Sequence, residues 1–187
     1  MAKGKLFIIS GASGVGKSTV LKRVMSARPD LQFSVSATTR PARPGEEDGV
    51  SYYFVTTEQF EKMIAEDAFL EYDAHNRNYY GTPTKEVEEK LQNGHVILDI
   101  EPVGAFNVLN KWPEAILIFV EAPSWEEMER RLRGRGDTPE DQIALRLERA
   151  KWELEQKEKY HYSVINDRAD ACADEILDII SRVEDGK

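Results

Sequence analysis

Apolar residues along the chain alternate between two patterns. Four short apolar runs, Lys5-Leu6-Phe7-Ile8-Ile9-Ser10, His95-Val96-Ile97-Leu98-Asp99, Ala115-Ile116-Leu117-Ile118-Phe119-Val120 and Tyr162-Ser163-Val164-Ile165, lack a polar face. That is the signature of strands buried on both sides in a parallel sheet. Phe33 to Thr38 is also strand-like. Between the runs, apolar residues recur at helical spacing: from Ser18 to Ala27, Val20, Leu21, Val24 and Met25 share one face, and Pro29 ends the segment. Helix starts are predicted at Thr82 before Pro83, at Ser124 with Glu127 three residues on, and at Thr138 before Pro139 with Asp141. Strands separated by helices predict an α/β fold with a doubly wound parallel sheet.

One segment breaks the alternation. From Ser34 to Tyr80 the chain is dense in turn residues and short aromatic runs, Ser51-Tyr52-Tyr53-Phe54-Val55, Phe69-Leu70-Glu71-Tyr72 and Asn78-Tyr79-Tyr80, with one helix around Glu58 to Ala65. This reads as a small, mostly antiparallel insertion. Its place after the first helix suits a lid over a second substrate.

The first apolar run feeds directly into Gly11-Ala12-Ser13-Gly14-Val15-Gly16-Lys17-Ser18-Thr19, which contains a complete GxxxxGK[ST] phosphate loop between a strand and a helix. Its glycines let backbone N–H groups turn inward on a phosphate chain, and the helix N-terminus adds its positive dipole end. Lys17 supplies a point charge for the outer phosphates, and the Ser18 hydroxyl is a ligand for Mg2+.

Composition narrows the class. A chain of 187 residues suits one domain with small insertions, able to bury about 70% of its unfolded surface. Against 25 Lys and Arg stand 34 Asp and Glu, and the net charge of −9 argues against a nucleic-acid partner. A phosphate ligand must then be met by local clusters, and the arginines are clustered: Arg40 with Arg43, and Arg130, Arg131, Arg133, Arg135, Arg146 and Arg149. Most charge runs are solvated helix faces, and Glu86-Glu88-Glu89-Lys90 and Glu153-Glu155-Lys157-Glu158-Lys159 are read so. The single cysteine, Cys172, excludes an internal disulfide and a cysteine-based zinc site and favours a reducing, cytoplasmic compartment. The N-terminal apolar run is too short for a signal-peptide core, and no run approaches a membrane span. His75, His95 and His161 are isolated, without metal or triad spacing.

The motifs together resemble those of guanylate kinases, which phosphorylate GMP from ATP. The resemblance runs through Ser10 to Thr19, Val-Ser-Ala-Thr-Thr-Arg-Pro-Ala-Arg-Pro-Gly-Glu at 35 to 46, Asn-Tyr-Tyr-Gly-Thr at 78 to 82, Leu-Asp-Ile at 98 to 100, Arg-Arg-Leu-Arg-Gly-Arg-Gly at 130 to 136 and Val-Ile-Asn-Asp at 164 to 167. It implies a P-loop NTPase-type parallel sheet flanked by helices, with a GMP-binding insertion at 34–80, a lid and following helix at 126–159, and a core formed by 1–33, 81–125 and 160–187. It also implies that Arg40, Arg43, Tyr52 and Tyr80 hold the GMP phosphate, a role that guanidinium forks and phenol hydroxyls suit. Glu71 would read the guanine donors, with Ser36 and Thr82 as hydroxyl partners. A carboxylate there disfavours adenine, whose bare N1 leaves the charge unpaired.

On the donor side the resemblance points to Lys17, Arg131, Arg135 and Arg146 around the moving phosphoryl, to Asn166 beside the adenine or its ribose, and to Mg2+ with ATP. Arg131 and Arg135 lie four apart, on one face if helical, with Gly134 and Gly136 permitting a mobile lid. Arg130, Arg133 and Arg149 are read as surface charges. Asp99 ends an apolar strand, where an acid either orients Mg2+ through water or touches the acceptor. The family most often continues Asp-Ile-Asp-x-Gln-Gly, whereas this chain has Asp99-Ile100-Glu101-Pro102-Val103-Gly104, which leaves that corner's contacts open. Two other readings stand beside the ATP:GMP phosphotransferase: a related kinase acting on a phosphorylated sugar or another nucleotide, and a phosphopeptide-binding module. The second fits poorly with an intact phosphate loop. Sequence leaves the oligomeric state open.

Overall fold

The computed structural model describes residues 4–75, 77–134 and 140–186. In chain order its elements are β1 (Leu6–Gly11), α1 (Lys17–Ala27), β2 (Gln32–Phe33), β3 (Ala37–Thr38), β4 (Tyr53–Phe54), α2 (Thr57–Ala65), β5 (Phe69–His75), β6 (Asn78–Pro83), α3 (Thr84–Leu91), β7 (Val96–Asp99), α4 (Pro102–Lys111), β8 (Ile116–Glu121), α5 (Trp125–Arg133), α6 (Glu140–Glu155), β9 (Tyr162–Ile165) and α7 (Ala169–Glu184). Two sheets result. One has five strands in the order β2-β7-β1-β8-β9, with β2/β7, β1/β8 and β8/β9 running parallel; the other has four in the order β4-β3-β6-β5. The parallel sheet flanked by helices agrees with the α/β pattern of the sequence.

Packing divides the chain into two compact units. One comprises Phe7–Asp30, Asp99–Pro102 and Ile116–Lys187. There β1 is buried at every position and pairs with β8 from Phe7↔Ile116 to Gly11↔Val120. Such all-apolar strands need cover on both faces. Cover comes partly from α7, which packs on α1 and β9 and turns Cys172, Ile176, Ile179, Ile180 and Val183 inward at helical spacing. Ser124 caps α5 as its sequence announces, accepting from the Glu127 N–H at 3.1 Å.

The other unit comprises Met1–Leu6, Leu31–Leu98 and Val103–Ala115, and it contains the insertion. The four-stranded sheet is antiparallel at β3/β6 and β5/β6 and parallel at β3/β4. It rests on a small core of Ala37, Phe60 and Phe69, with Tyr79 stacked on Phe60 at 5.1 Å between ring centres. Thr56 and Gln59 form a reciprocal cap that starts α2.

Three expectations need correction. The strand-like run from Phe33 to Thr38 is two strands in different sheets: β2 pairs with β7, whereas β3 pairs with β4 and β6. Between them the Val35 N–H is taken by the Glu86 carboxylate at 2.9 Å instead of a neighbouring strand. Glu86, read as part of a solvated face, is therefore a structural acceptor, also engaged by the Lys90 ammonium at 2.6 Å. Thr82 does not cap a helix. It pairs with Glu71 inside β6, whose last residue, Pro83, lies opposite Phe69 and stands at the N-cap of α3. The start expected at Thr138 and Pro139 lies outside the described residues.

Candidate functional site

Protein contacts hold the phosphate loop in its turn. Gly14 and Gly16 have φ of 89° and 86°, the left-handed region that side chains with a Cβ avoid. A Cβ on Gly16 would also stand 2.8 Å from the Asn166 amide nitrogen. That amide donates to the Val15 carbonyl at 2.7 Å, and the Arg131 guanidinium donates to the same carbonyl at 3.1 Å. Arg131 further donates to the Asn166 carbonyl at 3.0 Å and to Glu127 at 2.7 Å. Arg130 and Arg131 together pull the Glu127 carboxyl down to about 2. Asn166, expected beside the adenine, is 4% exposed and has its amide committed to the loop. Arg131, expected on the moving phosphoryl, donates to the loop backbone at Val15.

The loop borders a cavity of about 240 Å3 lined by Gly11 to Thr19, Glu101 and Glu153. Lys17 stands in it, its side chain 16% exposed and paired with Asp99 at 2.7 Å. Ser18, on the first turn of α1, is exposed at the same wall. Asp99 therefore serves as the counter-ion of Lys17. Arg146 lies half-buried on α6, and no hydrogen bond or ion pair engages it among the described residues. Arg135 lies outside the described residues.

Sequence reading missed Glu153 and Arg149. Glu153, assigned to a solvated face, is 2% exposed and accepts from the Ser13 N–H at 3.1 Å. Arg149, assigned to the surface, bridges Glu153 at 3.1 Å and Glu101. A signal did exist: Ile143, Ala150 and Glu153 are all buried and fall at steps of seven and three, one face of α6. Burial first, and Glu101 second, push the Glu153 carboxyl above its ordinary value of 4.5, against the pull of the Ser13 N–H, Arg149 and Lys17. A raised folded value means that Glu153 disfavours folding progressively as pH rises from about 4.5 through that value. Glu153→Gln is therefore expected to gain stability relative to the parent at pH 7 and to lose that gain at pH 4. Thermal unfolding of both proteins across this range checks the sign.

The second constellation lies within the insertion's own unit. The strand period of two sends Tyr79 to the core and Tyr80 to the other face, where it reaches Arg40. Arg40 also lies 5.4 Å from the Tyr52 ring centre, and Tyr52 meets Tyr80 edge-on at 6.1 Å. Three of the four expected phosphate ligands thus converge. Glu46 occupies the Arg40 fork with two bonds of 2.9 Å, and Glu46, then Tyr80, hold the guanidinium more firmly charged. Arg43 contributes its backbone N–H to Glu46 at 2.8 Å while remaining exposed.

Glu71, on β5, is 8% exposed, and one of its oxygens accepts from the Thr82 hydroxyl at 2.6 Å. Thr82 thus orients the carboxylate. The other oxygen faces the backbone of Gly104, where a Cβ would lie 2.7 Å away. Ser36 is half-buried beside β3, and its carbonyl accepts from the Tyr53 N–H at 2.9 Å.

Comparison with known proteins shows the family. The family model described as guanylate kinase matches residues 3–183. A guanylate kinase of Nostoc sp. is 47% identical over 170 residues, covering 90% of this chain and 85% of its own. One from Rubrobacter xylanophilus is 44% identical over 187 residues, covering 100% and 98%. Among solved structures, guanylate kinase from Anaplasma phagocytophilum superposes with a TM-score of 0.80 at 31% identity, over 100% of this chain and 88% of its own.

Proposed function

Because the chain belongs to the guanylate kinase family, we propose that it transfers the γ-phosphoryl of ATP to GMP, giving ADP and GDP, in purine nucleotide metabolism. The observation that carries the reading is the phosphate loop with Lys17 at the wall of its cavity. The acceptor is already an anion, so no catalytic base is needed, and the protein's work is positioning and charge stabilisation. Loop N–H groups and Lys17 hold the donor phosphates; Lys17 exchanges its Asp99 partner for them. Arg146, and Arg135 with it, neutralise the moving phosphoryl. Asp99, set free by that exchange, is available to acceptor or ion.

Mg2+ fits the donor set: Ser18 presents a hydroxyl oxygen at the cavity wall, and a magnesium ion retains waters and phosphate oxygens in place of a protein cage. Bound with ATP it supplies charge neutralisation between the outer phosphates. On the acceptor side Arg40, Arg43, Tyr52 and Tyr80 hold the GMP phosphate, while Glu71, oriented by Thr82 and with Ser36 nearby in sequence to the cradle, selects guanine. The partners are these nucleotides, with no nucleic acid and no membrane. A cytoplasmic location suits a chain whose single cysteine, Cys172, can form no internal disulfide; none of the described helices is long and apolar enough to cross a membrane.

A coupled assay of ADP release with GMP, AMP, CMP, UMP and phosphorylated sugars as acceptors tests the reading, which requires GMP to dominate. The arginines are expected to separate kinetically. Arg40→Ala should raise the KM for GMP about tenfold or more while the KM for ATP stays within about twofold; Arg146→Ala should chiefly lower kcat. Steady-state kinetics with each substrate varied in turn reads both.

A further inference from the structure

The ATP cavity has an acidic wall that the phosphate-loop motif does not include. Two of its lining residues, Glu101 and Glu153, are carboxylates, an unfavourable neighbourhood for a polyphosphate. Glu153 is almost fully buried, so its charge is poorly screened by water. Only one cation bridges the two among the described residues: Arg149, on the same helix as Glu153 and one turn before it, with its Nε on Glu153 and its Nη2 on Glu101. The free Glu153 oxygen caps the Ser13 N–H of the loop at 3.1 Å. A continuous chain of contacts thus runs from the segment after β7, through α6, to the loop backbone.

We infer that Glu101, Arg149 and Glu153 form a charge-balancing clasp on the ATP cavity, in which Arg149 is a positioning residue: it neutralises the two carboxylates and holds Glu153 on the Ser13 N–H, so setting ATP affinity without contacting ATP. Burial raises the cost of a Glu153 carboxylate, and Arg149 offsets it. Without Arg149 the two carboxylates lose the cation that bridges them beside the triphosphate, and Glu153 has less reason to remain on the loop. The pairing also accounts for the departure at 101: the longer side chain of a glutamate reaches Arg149 across from α6.

The inference rests on the phosphotransferase reading, and the test separates the two. ATP binding is measured by calorimetry in Mg2+ buffer without acceptor, on the parent, Arg149→Met, and Arg149→Met combined with Glu101→Gln. A parent that fails to bind ATP overturns the functional reading itself. If the parent binds, the clasp requires Arg149→Met to weaken ATP about tenfold, the double variant to recover at least half of that loss on a logarithmic scale, and GMP affinity to stay within about twofold. Rescue is the deciding result. A direct Arg149 contact with phosphate would give the first loss and no recovery, and a merely structural role would weaken both nucleotides; either outcome overturns the clasp, as does an Arg149→Met protein that binds ATP within twofold of the parent. Glu153→Gln, nearly isosteric and still an acceptor for the Ser13 N–H, gives a second entry: combined with Arg149→Met it should also restore binding, and failure to do so counts against the clasp.

Discussion

Lys17→Ala is expected to lower kcat at least a hundredfold while the protein stays folded. The lysine lies at the start of α1, on the cavity wall, where it pairs with Asp99. Its removal opens no core, because Val20, Leu21 and Val24 carry the buried face of that helix. What is lost is a preorganised positive charge aimed at the phosphates, and one such donor is worth about 3 kcal/mol or more in the transition state. Asp99 is then left as an uncompensated negative charge in the same place, which adds repulsion toward ATP. Single-turnover rates with saturating ATP, alongside a thermal unfolding profile close to that of the parent, check this. A variant that keeps the parent's kcat would remove Lys17 from the reaction.

The second large effect concerns base choice. Glu71→Gln should collapse the preference for GMP over AMP. The carboxylate can accept from the guanine N1–H and from its amino group, and Thr82 already donates to one oxygen, fixing the plane of the group. Glutamine keeps one acceptor and turns an amine toward the second donor, a mismatch for guanine and an opportunity for the bare N1 of adenine. Two charge-assisted bonds lost, with water replacing one, amount to about 2 to 5 kcal/mol. The ratio of kcat/KM for GMP to that for AMP reads the effect directly. A ratio within about threefold of the parent's would place selectivity elsewhere, with Asp99 and Glu101 the next residues to test.

Much of this architecture is legible from local pattern. The phosphate loop is readable because its chemistry is carried by contiguous residues, and β7 and β8 are readable because a buried parallel strand has no polar face to confuse with a helix; β9, read as the same kind of run, is instead the last strand of its sheet and exposes Ser163 and Ile165. Ser124 announces its helix through an interaction three residues long. What escapes is set by partners distant in sequence. The break between β2 and β3 depends on Glu86, fifty-one residues from Val35, taking a backbone N–H that would otherwise have continued the strand. Thr82 looks like a helix cap until Glu71 is brought opposite it across two strands. Glu153 and Arg149 look solvated because charge usually is, and only the neighbouring helix turns and the loop 140 residues away give them a buried partner.

The double grip of Asn166 and Arg131 on the Val15 carbonyl carries a thermodynamic consequence. A flexible glycine-rich segment that ordered only on meeting nucleotide would subtract its lost conformational freedom, about 1–2 kcal/mol per residue, from the binding free energy. Here protein contacts contribute to that ordering, through two side chains drawn from α5 and from the residue after β9. Nucleotide affinity is thereby linked to folding stability: side chains that brace the loop backbone decide how much of the intrinsic attraction between loop and phosphate survives as measured affinity, and a substitution at either one trades directly between the two.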